Sequence, residues 1–187
     1  MATTALIVEI IVIGAFALIW VALFVFKFFG LDITTVSGWL LQYKDWSTGA
    51  VLMAIAISYQ LGWSVNQLSY FVARNTFNIT IKKKIFKNEY ENYNIIKAAV
   101  FIKGSTFILD NIRERLSVVR LTRSAFVNFL LISIGFFVLG NWQLGLVVLG
   151  VTIILFVQAN DIYAQYCNQI YNAFKVIKRK SNGHKTA

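Results

Sequence analysis

Residues 125–158 read AFVNFLLISIGFFVL, then GNWQ, then LGLVVLGVTIILFVQ. Two apolar runs of fifteen residues flank a four-residue link, Gly140-Asn141-Trp142-Gln143. A bilayer hydrocarbon core of ~30 Å takes about 20 apolar residues in helix. With Trp142 joined to the second run, residues 125–139 and 142–158 read as two membrane spans. So short a link leaves only a tight antiparallel hairpin, with Trp142 at the level of the interface.

Two further spans lie upstream. The first is 6–29, with Glu9 near its start and Lys27 near its end. A signal peptide would open with basic residues and carry a short apolar region. Residues 1–8 hold no base and the run is longer, so a retained span is expected. The second is 49–71. Its first half, 50–57, is purely apolar, whereas 58–70 carries Tyr59, Gln60, Trp63, Ser64, Asn66 and Gln67. Between these two spans Val36, Trp39, Leu40 and Tyr43 fall at i, i+3, i+4 and i+7, with Trp46 beyond them. That pattern predicts an outer interfacial helix over 31–46.

Composition agrees. Apolar residues make up 58% and charged residues 14%, against roughly 45–50% and 25% in soluble domains. An ordinary soluble domain and a disordered chain are both excluded. Proline is absent, so unbroken helices are the default. One Cys, Cys167, rules out an intrachain disulfide, and one His, His184, rules out a His-rich metal site.

Charge sets orientation. Residues 74–123 hold eleven basic and four acidic residues, and 161–187 hold five and one. Residues 28–48 carry a net −1, and the link at 140–143 carries no charge. Basic excess marks the cytoplasmic side, which places both termini there and fits four spans. The expected fold class is an all-α integral membrane protein: four transmembrane helices in two hairpins, with a small helical cytoplasmic layer between spans two and three. The expected segments are 1–73, the first hairpin; 74–123, a basic cytoplasmic segment; 124–160, the second hairpin; and 161–187, a helix extension and basic tail.

About fifty residues at 74–123 are too few for a robust independent core, so they must pack on the bundle, a neighbouring subunit or a partner. Residues 88–102 have helical character, Gly104 suits a left-handed stop, and Ser105 or Thr106 suits the next N-cap. No residue but Gly135 interrupts 105–139, so one long helix is expected to enter the third span. The fourth is expected to protrude to about Lys178, with 181–187 a tail. Gly135, Gly140, Gly145 and Gly150, five apart, are expected to ease packing in the second hairpin.

Polar residues supply the candidate sites. Gln60, Ser64 and Gln67 form one helical stripe of the second span, with Tyr59, Trp63, Asn66 and Tyr70 beside it. They act either as interhelical hydrogen-bond glue or as the lining of a polar vestibule, joined by Asn128 and Gln158 at similar depth. Lys82, Lys83, Lys84 and Lys87, flanked by Ile79, Ile81, Ile85 and Phe86, suit either anionic lipid or solvent. Arg113, Arg120 and Arg123 lie on or near one helix face, Arg115 accompanies them, and Asp110 is placed to pair with Arg113. They serve orientation and pairing, or a positive ring when subunits assemble. Glu9 is an acid either within the bilayer or at the headgroups; its natural partners are an arginine of 120–123 or the polar half of the second span.

There is no P-loop, GxGxxG or credible nucleophile–base pair, so neither enzyme activity nor a cofactor or metal is expected. The expected function is a homo-oligomeric channel or pore-like protein gated through its basic cytoplasmic layer. By architecture alone it is similar to pore-forming effector subunits of bacterial defence modules, and the Ile, Lys and Asn bias suits a bacterial inner membrane. The alternative is a non-conducting anchor or regulatory subunit. Expected partners are further copies of the chain, anionic cytoplasmic lipid, and an acidic cytoplasmic protein or anionic ligand.

Overall fold

The computed structural model describes residues 2–30 and 47–183. The expected interfacial helix at 31–46 and the tail residues 184–187 lie outside the described residues. The described residues form helices joined by short turns, with no strand among them. In order they are α1 (Ala2–Phe29), α2 (Ser47–Ala73), a π-helical turn (Arg74–Asn78), α3 (Ile79–Phe86), a 3₁₀ turn (Lys87–Asn92), α4 (Tyr93–Lys103), α5 (Thr106–Val138) and α6 (Trp142–Gly183). Four helical stretches are long and apolar enough to cross a membrane: Thr4–Phe29, Thr48–Lys103, Thr106–Val138 and Trp142–Arg179.

The chain divides into two compact units. One comprises Met1–Tyr70 and Arg123–Phe156, the other Phe71–Thr122 and Val157–Ala187. Charge follows the same division. The second unit holds fifteen of the eighteen Lys and Arg and five of the eight acids, hence the whole +10; the first is balanced at three and three.

In the first unit, α1 and α2 meet backbone to backbone. A Cβ on Gly14 would overlap the Ser58 carbonyl, and one on Gly62 would overlap the Ile10 carbonyl. The buried face of α2 is a seam of small side chains, Ser58, Gly62, Val65 and Ser69, at helical spacing. Small residues let helices approach closely where lipid offers no hydrophobic drive to associate. Helix α5 packs on α1 through Phe16–Phe129, with ring centroids 6.0 Å apart, and through Gly135, whose Cβ position lies 3.1 Å from Leu23 Cδ1.

The join between α5 and α6 is built from its own residues. Gly140 takes φ +80°. Asn141 N–H bonds the Phe136 carbonyl at 2.9 Å and Gly140 N–H the Phe137 carbonyl at 3.0 Å, a Schellman closure. Asn141 Oδ1 then accepts from Leu144 N–H at 3.4 Å, capping α6. Beyond the turn, Phe137 meets Trp142, Ser133 Oγ donates to the Gly145 carbonyl, and Phe126 meets Phe156. These pairings run antiparallel.

The second unit has an aromatic core. Phe86 stands edge-on to Tyr93 and Tyr171 at 5.0 and 5.3 Å, and Phe77 meets Tyr163 at 6.2 Å. Ile96, Val100, Ile112, Val119, Cys167 and Ile170 complete it. Two local expectations change. Gly104 ends α4 in an extended conformation (φ −70°, ψ 147°), not a left-handed one. Its constraint is steric, since a Cβ there would meet the Val100 carbonyl oxygen at 2.5 Å. Helix α6 also runs past Lys178 to Gly183.

Backbone cannot yield as a flexible side chain does, so Gly14→Val and Gly62→Val should each destabilise the detergent-solubilised protein by more than about 2 kcal/mol. Gly150, with nothing within 4 Å of its Cβ position, is the control. Gly150→Ala should be neutral, or stabilising by up to ~1 kcal/mol, on helix propensity. Thermal unfolding followed by circular dichroism reads both.

Candidate functional site: the polar faces of α2 and of the second unit

The close crossing fixes which way every side chain of α2 points. Ser58, Gly62, Val65 and Ser69 face inward. At 100° per residue, Gln60, Ser64 and Gln67 then fall on the opposite side of the helix, and all three are exposed. Tyr59, Trp63 and Tyr70 beside them are exposed as well. Ser64 Oγ returns its hydrogen to the Gln60 carbonyl at 3.1 Å, satisfying itself locally. The side-chain amides of Gln60 and Gln67 meet no partner among the described residues.

Asn66, on the flank, has a different role. Its Oδ1 accepts from Arg123 Nη2 at 3.0 Å. Arg123 Nε donates to Ser69 Oγ at 3.1 Å, and Ser69 and Ser124 hydroxyls stand 3.1 Å apart. The Arg123 guanidinium lies 5.3 Å from the Tyr70 ring centroid. Arg123 is only 8% exposed, so this candidate surface residue is a buried tie between α5 and α2.

Asn128 is likewise not on an open face. It is 1% exposed; its Nδ2 donates to the Ile13 carbonyl at 2.9 Å, and its Oδ1 accepts from Trp20 Nε1 at 3.0 Å. That is interhelical glue with both amide ends used. Gln158 is exposed on α6 in the second unit. Glu9 is half-buried on α1.

The lysine run divides. Lys82 is half-buried, its Nζ 4.3 Å from the Tyr93 ring centroid, whereas Lys83, Lys84 and Lys87 are exposed. Lys87 occupies a left-handed position, φ 45°. Arg113 is exposed and pairs with Asp110 at 3.4 Å, and Arg120 is half-buried. Arg115 donates to Gln165 Oε1 at 2.9 Å, and Gln165 Nε2 to Asp161 Oδ2 at 2.8 Å, a relay that joins α5 to α6. Sequence reasoning gave no role to Trp20, Ser69, Ser124 or Gln165. The available signal was the spacing Ser58-xxx-Gly62, which marks the inward face of α2 and hence the sides on which Asn66 and Ser69 stand.

The second unit also seals polar atoms without a hydrogen-bond partner among the described residues: Asn78 Oδ1, Asn160 Oδ1 and Gln169 Oε1. No group of three His, Cys, Asp or Glu able to hold a metal exists among the described residues. No protein-family model, curated protein or solved structure matches the chain.

The contrast between glue and open face is measurable. Asn128→Leu strands the Trp20 N–H and removes a second donor from the Ile13 carbonyl, and should cost about 1–3 kcal/mol of unfolding stability. Gln67→Leu strands nothing in the single chain and should change that stability by less than ~0.5 kcal/mol.

Proposed function

We propose that the chain is a homo-oligomeric membrane channel or pore-like protein. In this reading copies turn the outward stripe of α2 toward a shared polar conduit, with Gln60, Ser64 and Gln67 as lining residues. One observation carries the proposal: the glutamine-bearing stripe of α2 lies opposite the face packed inside the chain. Moving an unbonded amide from water into apolar surroundings costs roughly 2–7 kcal/mol. Two glutamines turned to lipid would take up much of a typical net stability of about 5–15 kcal/mol. Protein or water must therefore cover the stripe. Tyr59, Trp63 and Tyr70 at its edge suit contact with a neighbouring copy.

Orientation follows the charge division. The unit holding the whole +10 belongs on the cytoplasmic side, and the balanced unit is the membrane unit with four spans. Residues 50–57 and 144–157 contain no ionisable side chain, so the outer part of such a conduit rests closed by dewetting. The second reading is a non-conducting anchor. The exposed Lys83, Lys84 and Lys87 favour it, as a surface for anionic lipid or an acidic protein.

Purified protein in liposomes is expected to pass ions, and the double variant Gln60→Leu/Gln67→Leu to lose at least about tenfold in flux while unfolding like the parent. Monodisperse monomer without flux in either form sinks the channel and leaves the anchor.

Topology is read separately. Cys167 is 0% exposed, so an impermeant maleimide should leave the native chain unlabelled from both sides until it is denatured. Gln143→Cys should react from outside intact cells, and Asn172→Cys only in inverted vesicles. The reverse pattern overturns the orientation.

A further inference from the structure

Helix α4 is apolar on two sides. Tyr93, Ile96 and Val100 are buried in the second unit. Directly opposite run Ile95, Ala98 and Ile102, and Phe107 follows at the start of α5. Ile95 is 69% exposed, Ile102 80% and Phe107 75%. Helix α4 carries Lys97 and Lys103 and no acid. Lys103 is exposed and has no acidic partner among the described residues.

A groove of complementary character lies elsewhere in the same unit, between α5 and α6. It encloses about 300 Å³, lined by Ile108, Asn111, Ile112, Asn172, Ala173 and Val176 among others. Ile112 and Ala173 form a buried apolar floor, and Asn111 and Asn172 an exposed amide rim. Glu114 stands three residues beyond Asn111, beside that rim. It is exposed and without a basic partner among the described residues.

We infer that the Ile95–Ile102–Phe107 strip of one copy docks in the Ile112–Ala173 groove of the next, with Lys103 facing Glu114 across the contact. This deepens, and rests on, the homo-oligomeric reading above. Strip and groove are different surfaces, so the contact is head-to-tail and each copy uses both; repeated around an axis it closes a ring. Strip against strip would oppose lysines to lysines with no acid on either helix.

The test uses the full-length chain with its native Cys167, purified in detergent, with the photo-crosslinking residue p-benzoylphenylalanine in place of Ile102. Irradiation should give a ladder beyond dimer, with the linked peptide mapping to 108–114 or 169–176 of another copy. Two exposed-site variants accompany it. Ile102→Glu should weaken assembly more than about tenfold. Lys103→Glu should weaken it roughly twofold to fivefold, and Lys103→Glu/Glu114→Lys should restore it. Links that stop at dimer and join 102 to the strip of the partner, or links to lipid alone, overturn the inference. So does an oligomer seen by native mass measurement whose groove is never captured, which leaves the channel reading standing. A chain that stays monomeric removes both.

Discussion

Where Gly14 meets Ser58, and Gly62 meets Ile10, two helix backbones touch with no side chain between them. That contact sets the rotation of α2 about its own axis. Once Ser58, Gly62, Val65 and Ser69 are turned inward, Asn66 is carried to the flank, where Arg123 reaches it, and Gln60, Ser64 and Gln67 are carried to the outside. A rotation of about 100°, one residue on the wheel, would put Tyr59, Trp63, Asn66 and Tyr70, or in the other sense Ile57, Leu61, Ser64 and Leu68, in the seam and break the Arg123 tie. The division of α2 into packing, bonding and open faces therefore rests on two glycines.

The four long apolar helices were legible because hydropathy and length need no knowledge of packing. So was the uninterrupted run of α5, since a chain without Pro offers few places to break a helix. The roles of individual polar residues were not legible in the same way. Asn66, Asn128 and Gln60 are chemically alike, and similar depth in the sequence was the sole ground for joining Asn128 to the stripe of α2. What separates them is which face each helix buries, and close approach of small residues decides that. The lysine run divides for a similar reason: Lys82 falls over Tyr93 on the inward side of α3 and its neighbours do not. Composition carries the sign of a surface; packing decides which members of a cluster belong to it.

The second unit reconciles high charge with burial through aromatic rings. Lys82, Lys83, Lys97, Lys175 and Lys178 all place Nζ within 6 Å of a ring centroid. Such contacts let alkyl stems and rings pack while the ammonium keeps water. Opposed to this stand sealed polar atoms, Asn78 Oδ1, Asn160 Oδ1 and Gln169 Oε1, without a hydrogen-bond partner among the described residues. Each costs roughly 1–3 kcal/mol relative to a bonded group.

Asn128 bonds to Trp20 and Ile13, and Arg123 to Asn66 and Ser69. Every one of those partners precedes α5 in the chain. A ribosome delivers α1 and α2 first, so when α5 reaches the bilayer its costliest groups find partners already in place. In the same unit Ser133 looks forward, to Gly145 on α6, and a serine is cheap to carry unpaired for the time a few residues take to be made; Arg115, in the other unit, also waits for α6 and its Gln165. The order of the helices along the gene is thus also a workable order of assembly. A circular permutation that began at α5 would preserve every contact of the finished protein, yet ask its first helix to enter lipid with an arginine and an asparagine unanswered.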